Sequence, residues 1–79
     1  MKMKKQIYNY MAVFERNEFG GYTVIVPALP GLVTEGKDLE DARKMAMEAI
    51  ECYLEGLKID KSNIPIENDI ASIRLSVTV

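Results

Sequence analysis

Residues 22–55 read YTVIVPALPGLVTEGKDLEDARKMAMEAIECYLE, and this stretch decides the fold. Its first five residues, 22–26, are β-branched or aromatic and predict a strand. Pro27 is expected to end that strand or to lie on an exposed edge, because proline cannot donate a hydrogen bond to a neighbouring strand. The sequence Leu29-Pro30-Gly31 predicts a turn, and residues 32–35 predict a short third strand that Gly36 closes.

A long amphipathic helix is predicted after the third strand. Asp38 stands where a helix N-cap belongs, and Glu40 and Asp41 place negative charge in the first turn. Gly56 is predicted to end the helix in a left-handed conformation, and Cys52 to pack as a small core hydrophobe rather than act as a reactive thiol. One apolar stripe is expected to face the sheet: Leu39, Ala42, Ala46, Ala49, Ile50, Tyr53 and Leu54.

Two further strands are predicted on either side of this stretch. Residues 7–14 are apolar in both alternation sets, which is typical of a strand in a sheet that is covered on both faces, or covered on one face and bound by a partner on the other. Residues 16–21 are predicted to turn this strand back into a hairpin. Residues 71–79 alternate apolar and polar side chains and predict a last strand. The expected fold is therefore α+β: a single domain over residues 1–79, in the order β-β-β-α-β, with one helix across one face of a four-stranded mixed sheet.

The composition argues against several classes of activity. The chain has 79 residues, a net charge of −2, no histidine and a single cysteine. Without histidine and with one cysteine, the chain lacks the residues for a catalytic triad or a zinc site. Its predicted strands also lack the paired carboxylates of a two-metal nuclease, so we expect no catalytic residue, cofactor or metal. No segment approaches the ~18 apolar residues that cross a bilayer, and the lone cysteine suits a reducing compartment, so a cytoplasmic protein is expected.

The ordered residues of this stretch carry a family resemblance. Their pattern resembles that of the HicB family of type II toxin–antitoxin systems. The resemblance implies a partial RNase H-like fold and neutralisation of a small RNA-cleaving toxin of the HicA type. Two positions differ: Ala28 stands where the family usually has an acidic residue, and the chain ends at Val79 where many relatives continue into a DNA-binding segment, so DNA binding is not expected. The matching residues are Tyr22, Val24, Pro27, Leu29, Pro30, Gly31, Thr34, Gly36, Ala42, Ala49, Ile50 and Leu54.

The expected function is that of an antitoxin-like protein that binds a basic toxin and occludes its active surface. A free-standing RNA-binding module is the alternative, which the acidic charge balance disfavours. A homo-oligomer is also expected, because one helix leaves an apolar sheet face uncovered. The acidic helix face of Glu48, Glu51 and Glu55 is a second candidate contact surface, although such faces are more often merely solvated. The predicted partner-binding residues are Tyr22, Pro27, Leu29, Pro30, Gly31, Leu32, Thr34 and Gly36.

Overall fold

The computed structural model describes residues 6–67 and 70–79 and has an α+β fold. Its elements are β1 (Val13–Arg16), β2 (Tyr22–Ile25), β3 (Val33–Gly36) and α1 (Leu39–Ile59). The strands form an antiparallel sheet in the order β1-β2-β3, and α1 packs against β3 and β2. The predicted α+β class with one helix on one face is confirmed, but the described residues form three antiparallel strands where a mixed sheet of four was expected.

The hairpin between β1 and β2 is built around the side chain of Asn17. Its Oδ1 atom accepts hydrogen bonds from the backbone N–H groups of Phe19 and Gly21, each at 3.0 Å. The backbone N–H of Asn17 donates to the Gly21 carbonyl at 2.9 Å, and Gly20 takes a positive φ of 87°. Glycine adopts this conformation without the steric cost of a Cβ, so the predicted turn is confirmed with a local physical cause.

Helix α1 begins as predicted and ends later. The Asp38 carboxylate accepts a 2.8 Å hydrogen bond from the Asp41 backbone N–H, which confirms the N-cap. The prediction that Gly56 ends the helix is wrong, because the helix continues to Ile59. Lys61 takes the left-handed conformation instead, with φ 57°, and donates to the Lys58 carbonyl at 3.1 Å, while Ser62 donates to the Leu57 carbonyl at 2.8 Å. These two bonds make a Schellman motif, so a lysine occupies the position that glycine usually takes.

The core lies between α1 and the sheet in two adjoining clusters. Val24 packs with Ala42 and Ala46, whose small side chains bring the helix close to β2 and β3. The second cluster joins the buried residues Val26, Leu29 and Leu32 to the half-buried Ala49, Ile50, Tyr53 and Leu54 of the helix. Two expectations for the helix are wrong: Leu39 is 55% exposed at the first turn, and Cys52 is exposed rather than part of the core.

The two flanking segments differ from the predicted strands. The first strand begins at Val13 rather than at residue 7, and residues 7–12 have no regular structure. Tyr10 and Met11 are joined instead to the C-terminal part of the chain, because the Tyr10 hydroxyl donates to the Pro65 carbonyl at 2.6 Å and the Met11 N–H donates to Glu67. Residues 70–79 pair with none of the three strands. Alternation of side chains selects an extended backbone, but it does not supply the hydrogen-bonding neighbour that makes a strand.

Candidate functional site

The sheet has one face under the helix and one face in solvent. Phe14 pairs with Val24, and Val24 pairs with Thr34, so this row lies on the side of the helix core. Successive residues of a strand point to opposite faces, so their neighbours in β1, β2 and β3 point away from the helix. We call this second surface the open face, and it consists of Val13, Glu15, Thr23, Ile25, Val33 and Glu35.

Two rows of side chains cross the open face. Val13 pairs with Ile25 and Ile25 pairs with Val33, which gives a continuous apolar row across all three strands. Ile25 is 43% exposed and Val33 is 62% exposed, while Val13 is half-buried, so most of the row is open to solvent. A contiguous exposed apolar patch of this kind marks an interaction surface more often than isolated exposed hydrophobic residues do.

The second row of the open face is acidic. Glu15 pairs with Thr23 and Thr23 pairs with Glu35, so a carboxylate stands on each edge strand with a hydroxyl between them. Neighbouring strands lie about 4.8 Å apart, so the backbones at Glu15 and Glu35 are roughly 10 Å apart. Both glutamates are exposed. The open face therefore offers an apolar row beside a negatively charged one.

The loop between β2 and β3 lies next to the apolar row and is held in a fixed shape. Leu29 N–H donates to the Val26 carbonyl at 2.9 Å and Leu32 N–H to the Leu29 carbonyl at 3.1 Å, which makes two consecutive tight turns. Gly31 has φ 86°, as the second turn requires. The Tyr53 hydroxyl donates to the Pro30 carbonyl at 2.9 Å and ties the loop to the helix.

The structure distributes the predicted partner-binding residues over three environments. Leu29 and Leu32 are buried in the core, where they support the loop from within. Tyr22, Thr34 and Gly36 are partly buried on the helix side of the sheet, with the Arg16 guanidinium 5.6 Å from the centre of the Tyr22 ring. Pro27, Pro30 and Gly31 are exposed on the loop. Of the eight residues, only Pro27, Pro30 and Gly31 therefore lie together on an exposed surface. The binding role of all eight stays a prediction.

The open face is not recognisable as a set of residues from the sequence alone. The available signal lay in β2, where the residues between the core positions are Thr23 and Ile25. An isoleucine at an outward position predicts a covered or partner-binding surface rather than a solvated one. Its neighbours Val13 and Val33 become visible only with the pairing register, which the sequence did not fix.

Across residues 6–67 and 70–79, no three histidine, cysteine, aspartate or glutamate side chains come together in a way that could hold a metal ion. Within the same ranges, no helix is both long enough and apolar enough to cross a membrane.

Comparison with known proteins places this fold in a family. The model of the family described as HicB-like antitoxin of bacterial toxin–antitoxin systems matches residues 10–77. A UPF0150 protein of Synechocystis is 39% identical over 75 residues, which cover 95% of this chain and 94% of the relative. A UPF0150 protein of Thermoplasma acidophilum is 42% identical over 59 residues, 75% of this chain and 86% of the relative. An uncharacterised 14.9 kDa protein of Haemophilus phage HP1 is 40% identical over 50 residues, 63% of this chain and 38% of the relative. The resemblance inferred from the sequence is confirmed, and this chain belongs to the HicB-like antitoxin family.

Proposed function

We propose that this chain is an antitoxin that neutralises a small, basic, RNA-cleaving toxin of the HicA type in the cytoplasm, where the toxin finds its RNA. The family supports the antitoxin role, and the open face carries the rest of the proposal. Neutralisation is by occlusion: the antitoxin covers the surface with which the toxin binds and cleaves RNA. This mechanism requires no chemistry from the antitoxin itself.

The apolar row supplies the affinity in this proposal. Ile25 and Val33 lie at the centre and on one edge of the open face, where a partner can remove them from water. Burying apolar surface contributes roughly 25 cal/mol per Å², and a few central side chains usually carry most of the binding energy. The exposed loop residues Pro27, Pro30 and Gly31 continue this surface beyond the ends of β2 and β3.

The acidic row supplies the orientation and the choice of partner. Glu15 and Glu35 carry negative charge where a protein that binds the phosphates of RNA carries positive charge. Complementary charges of this kind raise the association rate more than the final affinity. The same row repels RNA, and this supports a protein partner over the RNA-binding alternative.

The apolar row is tested by a matched pair of substitutions. Val33→Asp places a carboxylate on the exposed edge of the apolar row, whereas Ile59→Asp makes a similar change at an 80%-exposed residue at the end of the helix. Because a carboxylate is costly to bury against an apolar partner surface, we expect a loss of about 2 kcal/mol or more, or roughly a 30-fold weaker Kd, for Val33→Asp only. Binding is measured by calorimetry with a catalytically inactive form of the small basic toxin encoded by the adjacent reading frame.

The acidic row needs its own variant, and so does the alternative surface. Glu15→Lys combined with Glu35→Lys is expected to slow association and to weaken its dependence on salt, whereas Glu48→Lys on the helix is expected to leave both unchanged. If Glu48→Lys has the larger effect, the toxin binds the acidic helix face instead. A folded Val33→Asp protein that binds the toxin as tightly as the native chain removes the open face from the proposal. A native chain that binds no HicA-type toxin, and does not displace RNA from it, refutes the function.

A further inference from the structure

The C-terminal segment, residues 70–79, has the side-chain pattern of a strand but is exposed to solvent. Ile73, Leu75 and Val77 are 73%, 82% and 86% exposed, although they alternate with Ser72, Arg74, Ser76 and Thr78. An apolar side and a polar side at a period of two are what a strand needs in a sheet covered on one face only. The sheet of this chain is covered on one face, by α1.

The structure also contains a place for such a strand. Helix α1 packs against β3 and β2, and an open groove of about 620 Å³ remains between the helix and the N-terminal side of the sheet. Tyr8, Ala12 and Phe14 form one wall, and Ala46, Met47 and Ile50 form the other. The outer edge of β1 borders this groove, and β1 pairs with β2 only among the described strands. An unpaired edge of this kind presents free N–H and C=O groups to any strand that approaches.

The C-terminal segment does not fill the groove of its own chain. The bonds from Tyr10 to Pro65 and from Met11 to Glu67 hold the preceding residues against the N-terminal segment, and residues 70–79 are exposed throughout. The molecule is 59 Å long and has a radius of gyration of 15.2 Å. A compact domain of this length has a radius of gyration of about 12 Å. The segment therefore projects away from the body that contains the groove.

We propose that residues 70–79 pair with the β1 edge of a second copy of this chain, and that the two copies exchange these strands reciprocally. Ile73, Leu75 and Val77 enter the partner's groove, while the serines, Arg74 and Thr78 face solvent. Exchange of an identical element is a low-cost route to a two-fold dimer. The dimer forms on the helix side and at the β1 edge, so it leaves the open face free and does not depend on the proposed toxin binding.

The size of the contact fits a stable dimer. Standard protein interfaces use about 20–30 residues on each side. Each copy contributes the ten residues of its own segment, and the edge and groove that receive the other segment contribute about as many. Arg74 is the single charged residue among residues 70–79, so the strand brings little charge to a groove whose lining is mainly apolar, with Arg43 and Glu51 as its charged members.

Neighbouring positions on the two sides of the strand provide a matched test. Leu75→Asp puts a carboxylate on the groove side, and Ser76→Asp puts the same group on the solvent side. The molar mass is measured by light scattering at roughly 50–100 µM, where a moderately stable dimer is populated. We expect 17.8 kDa for the native chain and for Ser76→Asp, twice the 8.9 kDa of one chain. We expect Leu75→Asp at 8.9 kDa with an unchanged helical circular dichroism spectrum, because residue 75 lies outside the body of its own chain.

A mixture of isotope-labelled and unlabelled chains distinguishes exchange from pairing within one chain. Contacts between the methyl groups of residues 73, 75 and 77 and the rings of Tyr8 or Phe14 are expected between labelled and unlabelled copies. The proposal is overturned by a native chain that stays at 8.9 kDa, by such contacts only within one copy, or by a Leu75→Asp dimer of full size. A dimer that Leu75→Asp preserves and Val33→Asp dissociates moves the interface to the open face.

Discussion

The close approach of α1 to β3 at Gly36 makes a sharp prediction about two glycines. A Cβ atom added to Gly36 would lie 2.8 Å from the Asp41 carbonyl carbon, and closer still to backbone atoms of Ala42. Ordinary contacts at a Cβ are 3.4–4 Å, so the Asp41 contact alone would require the start of the helix to move away by 0.6 Å, and the closer Ala42 atoms require more. Gly56 offers a matched control, because its added Cβ would meet nothing within 4 Å, and neither glycine has a positive φ.

The two substitutions are expected to change stability in opposite directions. Overpacking costs typically 1–3 kcal/mol, and the upper end applies to Gly36→Ala because backbone atoms cannot rotate out of the way. Gly56→Ala is expected to raise the free energy of unfolding by about 0.5–1 kcal/mol, since alanine loses less conformational entropy in a helix. At about 4–8 °C per kcal/mol for a domain of this size, Tm should fall by roughly 12–24 °C in the first variant and rise by a few degrees in the second.

Urea unfolding at one fixed protein concentration is the appropriate assay, because self-association would make the apparent stability depend on concentration. Unchanged m-values would show that the denatured states are comparable. A Gly36→Ala protein within about 0.5 kcal/mol of the native chain would refute the reasoning, because so small a change is typical of surface substitutions. A Gly56→Ala protein destabilised as much as Gly36→Ala would refute it as well.

Two further predictions concern the loop and the end of the helix. Leu29→Ala is expected to lower the free energy of unfolding by about 2–5 kcal/mol, because Leu29 is fully buried. Leu39→Ala, at a 55%-exposed position, should lower it by well under half of that. Equal losses in urea unfolding would contradict the core role of Leu29. Lys61→Gly is expected to raise the free energy of unfolding by about 0.5–1 kcal/mol, and Tm with it, because glycine avoids the strain of the left-handed φ of 57°. Asp60→Gly, at φ −79°, should lower Tm instead. A Lys61→Gly protein that melts below the native chain would show that the Schellman geometry does not strain the lysine.

The loop from residue 26 to residue 32 shows how far a local motif carries a functional assignment. The sequence predicted a turn there and a partner-binding role for its residues. The structure confirms the turn and assigns two of its residues, Leu29 and Leu32, to the core. The leucines of this motif therefore stabilise the fold, and Pro27 and Pro30 are the residues that the loop exposes on its surface.

In the groove between the N-terminal segment and α1, the surroundings of Tyr10 change the pKa of its hydroxyl. Burial, assisted by Tyr8 and Glu67, raises the pKa of the Tyr10 hydroxyl above its usual value. The hydroxyl therefore stays protonated over the ordinary pH range and can donate to the Pro65 carbonyl. This bond fixes the point from which the C-terminal part of the chain continues.

The sequence by itself determined the features that depend on neighbouring residues. The Asn17 turn, the Asp38 cap and the two turns around Pro27 and Pro30 each follow from the hydrogen-bonding and φ preferences of a few adjacent residues. The family followed as well, because an ordered pattern of a dozen residues keeps its spacing along the chain.

The tertiary structure decided what depends on partners distant in sequence. Residues 7–12 and 70–79 have strand composition, yet a strand exists only where another backbone accepts its hydrogen bonds, and none of the described strands does so. The helix runs past Gly56 because one helical glycine costs only about 1 kcal/mol, which the remaining helical contacts and the bonds at Lys61 offset. The open face likewise arose from register: Val13, Ile25 and Val33 are far apart in the chain and become one surface only when the three strands align.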